Sequence, residues 1–169
     1  SKQDHITVYL PAYHHEVLCD IFTPFPHLDW HIFAPSCEET HQQNNIHIHP
    51  VSNQPFLDSF ASCRGVICNA GFETCAEAMY LGKKLLPIPI HRQYEQQCNV
   101  AALAPMGIMS LPSLVGQTEQ IWKWLDNQAA VSIHDVADPA ALATKILQMA
   151  SDEQQPAVAE TQSMVRRLR

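Results

Sequence analysis

Residues 65–90 read GVICNAGFETCAEAMYLGKKLLPIPI, and this stretch decides the fold. Its first five residues form a short apolar run, which is typical of a buried parallel strand. Residues 71–81 favour a helix that would end at Gly82 in the left-handed conformation. Residues 84–90 are a second β-rich run, whose two prolines predict a place at an end or an irregular edge of a sheet. A strand, a helix and a strand with short connections predict a parallel β-α-β unit.

The same alternation extends toward both ends of the chain. Apolar runs predict strands at 5–10, 29–34, 45–51, 65–69, 84–90 and 107–111, and helical spacing predicts helices at 14–25, 52–63, 71–81, 92–104, 116–128 and 138–149. Residues 35–45 are polar and predict a turn. We therefore expect an α/β fold over residues 1–150: a Rossmann-like, doubly wound parallel sheet of about six strands with helices on both faces. Residues 151–169 are expected to form a helical tail.

Composition excludes several classes of protein. The chain has 169 residues, a formal charge of −7, 46% apolar residues and only 16% charged residues, which argues for a packed core and against a charge-rich disordered chain. The acidic balance argues against non-specific nucleic-acid binding. No apolar run approaches the roughly 20 residues that span a bilayer, and the first ten residues do not resemble a signal peptide.

Cysteine and histidine are the candidate metal ligands. The six cysteines contain no CxxC pair, and we interpret them as buried, reduced thiols of a cytoplasmic protein: Cys19, Cys37, Cys63, Cys68, Cys75 and Cys98. His47 and His49 alternate along a predicted strand, so both side chains would point to one face. They are either two ligands of a metal that takes further ligands elsewhere, or part of a half-exposed strand face. We assign no metal site and no cofactor.

The turn at Gly71 is the best candidate for a ligand site. Ligands of doubly wound sheets bind at the carboxyl ends of the strands, and a glycine there allows close approach of a ligand to the backbone. The free N–H groups and the dipole of the following helix favour a phosphate. Glu77, six residues further on, is placed to accept hydrogen bonds from ribose hydroxyls. The alternatives are an ordinary turn at Gly71, a helix-start residue at Thr74 and a solvated Glu77.

Residues 71–99, GFETCAEAMYLGKKLLPIPIHRQYEQQCN, also resemble a known family. They are similar to the nucleotide-sugar signature in the C-terminal domain of GT-B glycosyltransferases. That group includes the UDP-glycosyltransferases and the bacterial N-acetylglucosaminyltransferase that makes lipid II. The residues that match its pattern are Gly71, Glu77, Gly82, Pro89, Glu95, Gln96 and Asn99.

The resemblance implies a role for each matching segment. Gly71, Phe72, Glu73 and Thr74 would hold the diphosphate of a nucleotide sugar, expected to be a UDP-sugar. Glu77 would bind the ribose, Glu95 and Gln96 the hydroxyls of the sugar, and Val51, Ser52 and Asn53 the edge of the uracil. Two features depart from the pattern: Asn69, near the phosphates, replaces a histidine of many UDP-glycosyltransferases, and residues 10–15 (LPAYHH) lack the glycine-rich loop of the lipid II enzyme.

The resemblance further implies that this chain is the donor-binding half of a metal-independent transferase. The acceptor and the catalytic base would come from an N-terminal domain of the same protein or from a partner chain, which could hold the enzyme at the inner face of the membrane. No catalytic residue is assigned here, because His14, His15 and His91 can line the cleft but are better explained as surface histidines. The alternatives are a non-catalytic subunit that binds nucleotide sugar and a sugar-nucleotide epimerase. A third alternative is a flavodoxin-like domain or a response regulator. It would need an acidic cluster at the strand ends or a flavin-binding loop, and the sequence contains neither.

Overall fold

The computed structural model describes residues 4–133 together with 140, 143, 144 and 148, and residues 4–133 contain six strands and five α-helices. The strands are β1 (His5–Tyr9), β2 (Asp29–Phe33), β3 (His41–Gln43), β4 (Ile46–His49), β5 (Gly65–Asn69) and β6 (Lys84–Ile88). The helices are α1 (His15–Phe22), α2 (Asn53–Ser62), α3 (Phe72–Tyr80), α4 (Tyr94–Leu103) and α5 (Thr118–Asn127), with a 3₁₀ turn at Ala104–Met106.

The chain divides into two compact units, Ser1–Ile133 and His134–Arg169. In the second unit, residues 140, 143, 144 and 148 are helical, and the Thr144 hydroxyl donates to the Ala140 carbonyl at 2.8 Å. The rest of the predicted helix 138–149 and the predicted tail 151–169 lie outside the described residues. None of the described helices is long and apolar enough to cross a membrane.

The strand order β3-β4-β2-β1-β5-β6 confirms the predicted doubly wound sheet. All neighbouring strands run parallel except β3, which pairs antiparallel with β4. The chain winds outward from β1 in one direction and from β5 in the other. The carboxyl ends of these two strands therefore form the topological switch point, where sheets of this kind bind ligands.

Helices cover both faces of the sheet, as predicted. On one face, α1 and α5 pack against β-strand residues in a core that includes Trp30, Ile32 and Trp124, all fully buried. On the other face, residues of α2, α3 and α4 pack with Val66, Cys68 and Leu85. Alternate residues of a strand point to opposite faces, which is why Ile67 belongs to the first core and its two neighbours to the second.

Two predictions about the sheet edges were wrong. Residues 35–45 were expected to be a turn, but His41–Gln43 form the short strand β3, entirely exposed and polar. Residues 107–111 were expected to be a sixth parallel strand, and they form none. The sixth strand of the sheet is thus β3, which pairs with β4 at the edge opposite β6.

The side chain of Gln128 explains why residues 107–111 do not pair with β6. Its Nε2 donates to the Leu85 carbonyl at 2.9 Å, and its Oε1 accepts from the Met109 N–H at 3.0 Å. The Trp124 indole donates to the same Leu85 carbonyl at 3.1 Å. Pro87 has no N–H that could donate to a neighbouring strand. Between these two described segments there is one backbone hydrogen bond, which the Leu111 N–H donates to the Pro87 carbonyl at 3.4 Å. The two prolines do place β6 at the edge, as predicted.

Candidate functional site

A cleft of about 400 Å³ opens at the switch point, beside the carboxyl ends of β5 and β6. We call it the switch-point cleft. Its lining comes from the loop after β1, the last residue of β5, the end of β6 and the segment before α5: Ala12, Tyr13, Asn69, Ile88, Pro89, Ile90, His91, Pro112 and Ser113. Of the predicted ligand residues, only Asn69 belongs to this lining. Ser113 was not identified from the sequence, because nothing in its local pattern shows that it meets Tyr13, 100 positions away.

Hydrogen bonds hold the walls of the switch-point cleft together. The hydroxyls of Tyr13 and Ser113 lie 3.2 Å apart, and the Leu114 N–H donates to the Tyr13 hydroxyl at 3.3 Å. Asn69 Nδ2 donates to the Ile88 carbonyl at 3.0 Å and so joins the ends of β5 and β6. Its carboxamide is therefore fixed by the chain and is uncharged, unlike a protonated histidine.

The first turn of α3 presents free backbone amides beside this edge of the sheet. The N–H groups of Phe72, Glu73 and Thr74 make no hydrogen bond within the described part of the chain, and no side chain caps the helix. Such amides, with the helix dipole, form a general anion-binding arrangement. Phe72 is 71% exposed, and Glu73 also points to solvent.

The fold does not itself require a glycine at position 71. Gly71 has φ −70°, which any L-residue adopts, and a Cβ built on it meets no atom within 4 Å. By contrast, a Cβ at Gly65 would lie 3.0 Å from Ile6 Cδ1 and 3.2 Å from Trp124 Cη2. The open space beside Gly71 is room for something outside the described chain to approach the backbone.

The other predicted residues differ in how accessible they are. Glu77 and Glu95 are exposed on α3 and α4, and Thr74 is half-buried. Gln96 is buried: its Oε1 accepts from the Ile90 N–H at 2.9 Å and its Nε2 donates to Gln93 Oε1 at 3.0 Å. Val51 and Ser52 follow β4 and Asn53 begins α2, with no side-chain cap from Ser52. These three residues lie beyond the carboxyl end of β4, on the side of the sheet where the other strands also end.

Asn99 connects α4 to the loop that precedes α3. Its Nδ2 donates to the Ala70 carbonyl at 2.9 Å, so that α4 is tied to the loop between β5 and α3. This bond gives Asn99 a structural role, because it fixes the loop that precedes the amides of α3.

The cysteine prediction holds for five of the six residues. Cys98 is exposed on α4, whereas the other five are buried, and none forms a disulfide. The Cys75 thiol, in the first turn of α3, donates to the Asn69 carbonyl at 3.9 Å and also interacts with the thiol of Cys68 near the end of β5. The interaction between the two thiols lowers the pKa of Cys75 and raises that of Cys68.

Two of the candidate cleft histidines lie away from the switch-point cleft. His15 lines a second cleft of about 450 Å³, together with Glu16, Cys19, Asp20, His41 and Gln43. His14 is exposed, with Nδ1 3.6 Å from the Glu16 carboxylate. Only His91 lines the switch-point cleft. In the part of the chain that is described, no group of three or more His, Cys, Asp or Glu side chains is arranged to hold a metal ion.

Four histidines form a row on the α2 face of the sheet. His31 stacks on His5, with ring centroids 4.1 Å apart, and contacts His47 and His49 at 4.8 and 5.5 Å. The prediction that His47 and His49 share one face is confirmed. Ser59 of α2 joins the row: its hydroxyl lies 3.0 Å from His5 Nε2, and its carbonyl accepts from the same nitrogen at 3.2 Å.

Burial disfavours the charged form of three imidazoles in this histidine row. It lowers the pKa of His31 to about 3, assisted by repulsion from the neighbouring rings, and it also lowers the pKa of His5 and His49. His5 Nδ1 and His49 Nε2 are buried without a hydrogen-bond partner. A proton added at either of these two nitrogens would be buried without a partner, so the folded chain disfavours it.

These features define one Rossmann-like half of a GT-B fold, with its cleft at the switch point. The chain belongs to glycosyl transferase family 1, because the sequence profile of that family matches residues 1–121. No curated protein sequence matches the chain.

Solved glycosyltransferase structures share the fold. The spinosyn forosaminyltransferase SpnP matches with a TM-score of 0.56 and 15% identity over 98% of this chain and 43% of its own. The glycotransferase of kitacinnamycin matches with a TM-score of 0.55 and 12% identity, over 97% of this chain and 43% of its own. The glycosyltransferase SnogD from Streptomyces nogalater matches with a TM-score of 0.53 and 19% identity, over 98% of this chain and 42% of its own. The chain thus spans less than half the length of each of these proteins.

Proposed function

We propose that this chain is the domain of a glycosyltransferase that binds the nucleotide-sugar donor, a UDP-sugar. The observation that carries the proposal is the turn at Gly71. There, open space, a glycine that the fold does not need and three free amides coincide at the switch point, in a chain of glycosyl transferase family 1.

Each part of the donor has a proposed contact. The diphosphate binds the amides of residues 71–74 and the Thr74 hydroxyl, with Asn69 at the base of the loop. Glu77 accepts from the ribose hydroxyls and Glu95 from the hydroxyls of the sugar. Gln96 joins Glu95 if its amide leaves Ile90 and Gln93 when the donor binds. The uracil lies against residues 51–53, whose backbone follows the carboxyl end of β4.

We propose that sugar transfer proceeds without a metal ion. Charge develops on the diphosphate as the bond from its oxygen to the sugar breaks. Amides aimed at this group from α3 are held in place by the fold, so they stabilise the developing charge without reorganising. The base that takes the proton of the acceptor must lie within hydrogen-bond reach of the acceptor hydroxyl. We assign that base, and the acceptor site, to a second domain of the same protein or of a partner chain.

Calorimetric titration of the 169-residue chain with UDP and with UDP-sugars tests donor binding. Gly71→Ala is the sharpest variant, because its Cβ meets only open space in the free protein. We expect its Tm to be unchanged and its affinity for UDP to fall about 10-fold, as one steric conflict in a tight site does. Glu77→Ala should weaken UDP but not uracil binding, with Glu119→Ala on α5 as the matched control. Absence of UDP binding by the native chain would refute the proposal.

A non-catalytic nucleotide-sugar-binding subunit is the second candidate, because the chain spans only 42–43% of the enzymes it resembles in fold. Both candidates predict the same donor binding. They differ in whether adding the second domain produces transfer that depends on Glu77. Sugar transfer by this chain alone would contradict both, since it would place the base within these residues.

A further inference from the structure

A cationic residue lies in a strained turn at the rim of the switch-point cleft. The Gln93 N–H donates to the Ile90 carbonyl at 3.1 Å, which closes a β-turn between β6 and α4. Arg92, the third residue of this turn, has φ +62°. A positive φ at this position alone is the pattern of a type II turn, which normally takes glycine or asparagine there.

Neighbouring side chains fix the turn in this conformation. Gln96 accepts from the Ile90 N–H and donates to the side chain of Gln93, and the Gln97 N–H donates to the Gln93 carbonyl at 3.2 Å. The backbone of Arg92 therefore stays in the left-handed region although its Cβ disfavours that region.

Arginine at this position does not serve the stability of the turn. In the described chain, the other non-glycine residue with positive φ is Asn44, at +55°, and asparagine tolerates this conformation. Arg92 is exposed, and its guanidinium makes no hydrogen bond or ion pair with any described residue. Strain that persists without a structural return is characteristic of functional positions.

The described lining of the switch-point cleft is free of acidic side chains, and the acidic residue nearest to Arg92 in the chain is Glu95, in the first turn of α4. None of the nine described residues that line the switch-point cleft is acidic, although the whole chain carries a formal charge of −7. The second cleft, by contrast, contains Glu16 and Asp20. His91, which precedes Arg92, is part of the switch-point lining, so the backbone places Arg92 directly at its rim.

We propose that Arg92 is an anion-binding residue of the switch-point cleft and that its guanidinium binds a phosphoryl group of the substrate. A planar guanidinium matches two phosphate oxygens at once, which a lysine cannot do. The inference rests on the proposed function, because it assumes that a phosphorylated substrate enters this cleft. The phosphoryl group comes either from the donor diphosphate or from a phosphate-bearing acceptor.

Three variants of the full chain separate charge from strain. Arg92→Asn removes the charge and suits the left-handed backbone, Arg92→Lys keeps both the charge and the strain, and Arg64→Asn removes a distant cation that is paired with Asp4. We expect Arg92→Asn to raise Tm by about 2 °C, because the strain is relieved. A Tm below that of the native chain would overturn the argument from strain.

Calorimetry measures binding in two arms. If the donor supplies the phosphoryl group, Arg92→Asn weakens UDP binding about 10- to 100-fold and leaves uridine binding unchanged. Arg92→Lys then weakens UDP binding less, and Arg64→Asn leaves it unchanged. If the acceptor supplies it, UDP affinity is unchanged and binding of inorganic pyrophosphate to the UDP-saturated chain falls instead.

Unchanged affinity in both arms would overturn the role of Arg92 while leaving donor binding intact. Native chain that binds no UDP would instead refute the proposed function. In that case, a loss of pyrophosphate binding in Arg92→Asn alone would still support the anion site.

Discussion

Acidification should destabilise the protein through the histidine row beneath α2. Burial lowers the pKa of His31, His5 and His49 in the folded chain below the value of about 6.5 that a histidine has in an unfolded chain. Between these two values, the unfolded chain binds protons that the folded chain does not. The stabilisation is therefore complete above about pH 6.5 and is lost as the pH falls toward the folded-state pKa.

The magnitude can be worked out for His31, whose pKa is about 3 in the folded chain. For a fully shielded ring, lowering the pH from 7 to 5 would cost about 2 kcal/mol of unfolding free energy. Because the ring is half-buried, solvent screening reduces this figure to about 1 kcal/mol. Nearby charges change the effect only in part: Asp29 favours and Lys83 opposes the protonation of His5. His5 and His49 add losses of the same sign.

Urea unfolding followed by the fluorescence of the buried Trp30 and Trp124 measures this loss at pH 7, 6 and 5. The variant His31→Phe keeps a stacking ring but cannot take up a proton, so we expect a smaller decrease in its unfolding free energy. His27→Gln, an exposed histidine outside the row, should retain the native slope. Equal stability of the native chain at pH 7 and pH 5 would refute the reasoning, as would a His31→Phe variant with the full native slope.

Three further variants test other contacts. Lys83→Met should lower the unfolding free energy by about 2 kcal/mol in urea titrations, because the buried ammonium donates to the carbonyls of Ala61 and Cys63 at the end of α2. A loss below about 0.5 kcal/mol would contradict this. Glu73→Gln should tighten UDP binding about 3-fold in calorimetry by removing a like charge beside the phosphates, and weaker binding would count against the α3 site. Gly65→Ala should lower Tm by several degrees because its Cβ crowds the core, an effect absent if that contact relaxes.

The sequence predicts the parallel core well because each central strand carries its own local signal. The apolar runs at 5–9 and 65–69 and the helix after Gly71 are visible as local patterns, and the structure confirms them. The edges were harder to predict. Residues 107–111 have the composition of a strand, but Gln128 and Trp124 occupy the Leu85 carbonyl that a sixth strand would need. Trp124 and Gln128 lie about 40 positions from Leu85 in the sequence, so the local pattern does not show that they compete for its carbonyl.

The candidate site shows the same division between local and distant information. A glycine before a helix, followed by a carboxylate six residues later, is visible in the sequence, and the structure places Gly71 after β5 and Glu77 on the exposed face of α3. The burial of Gln96 and the contact of Tyr13 with Ser113 depend on how loops fold back, which spacing does not encode. Arg92 was missed for a different reason: the turn around it contains neither glycine nor asparagine, so no local signal marks its positive φ.

The side chain of Gln128 also has a consequence for how copies of this protein behave at high concentration. An open sheet has two edges, and each can recruit a strand from another molecule and start aggregation. At the β6 edge, the carboxamide of Gln128 and the indole of Trp124 already occupy the Leu85 carbonyl. At the β3 edge, the last strand is only three residues long and consists of a histidine and two glutamines. Both edges are thus poor templates for a foreign strand, and the domain can present its open cleft without exposing a sheet that polymerises.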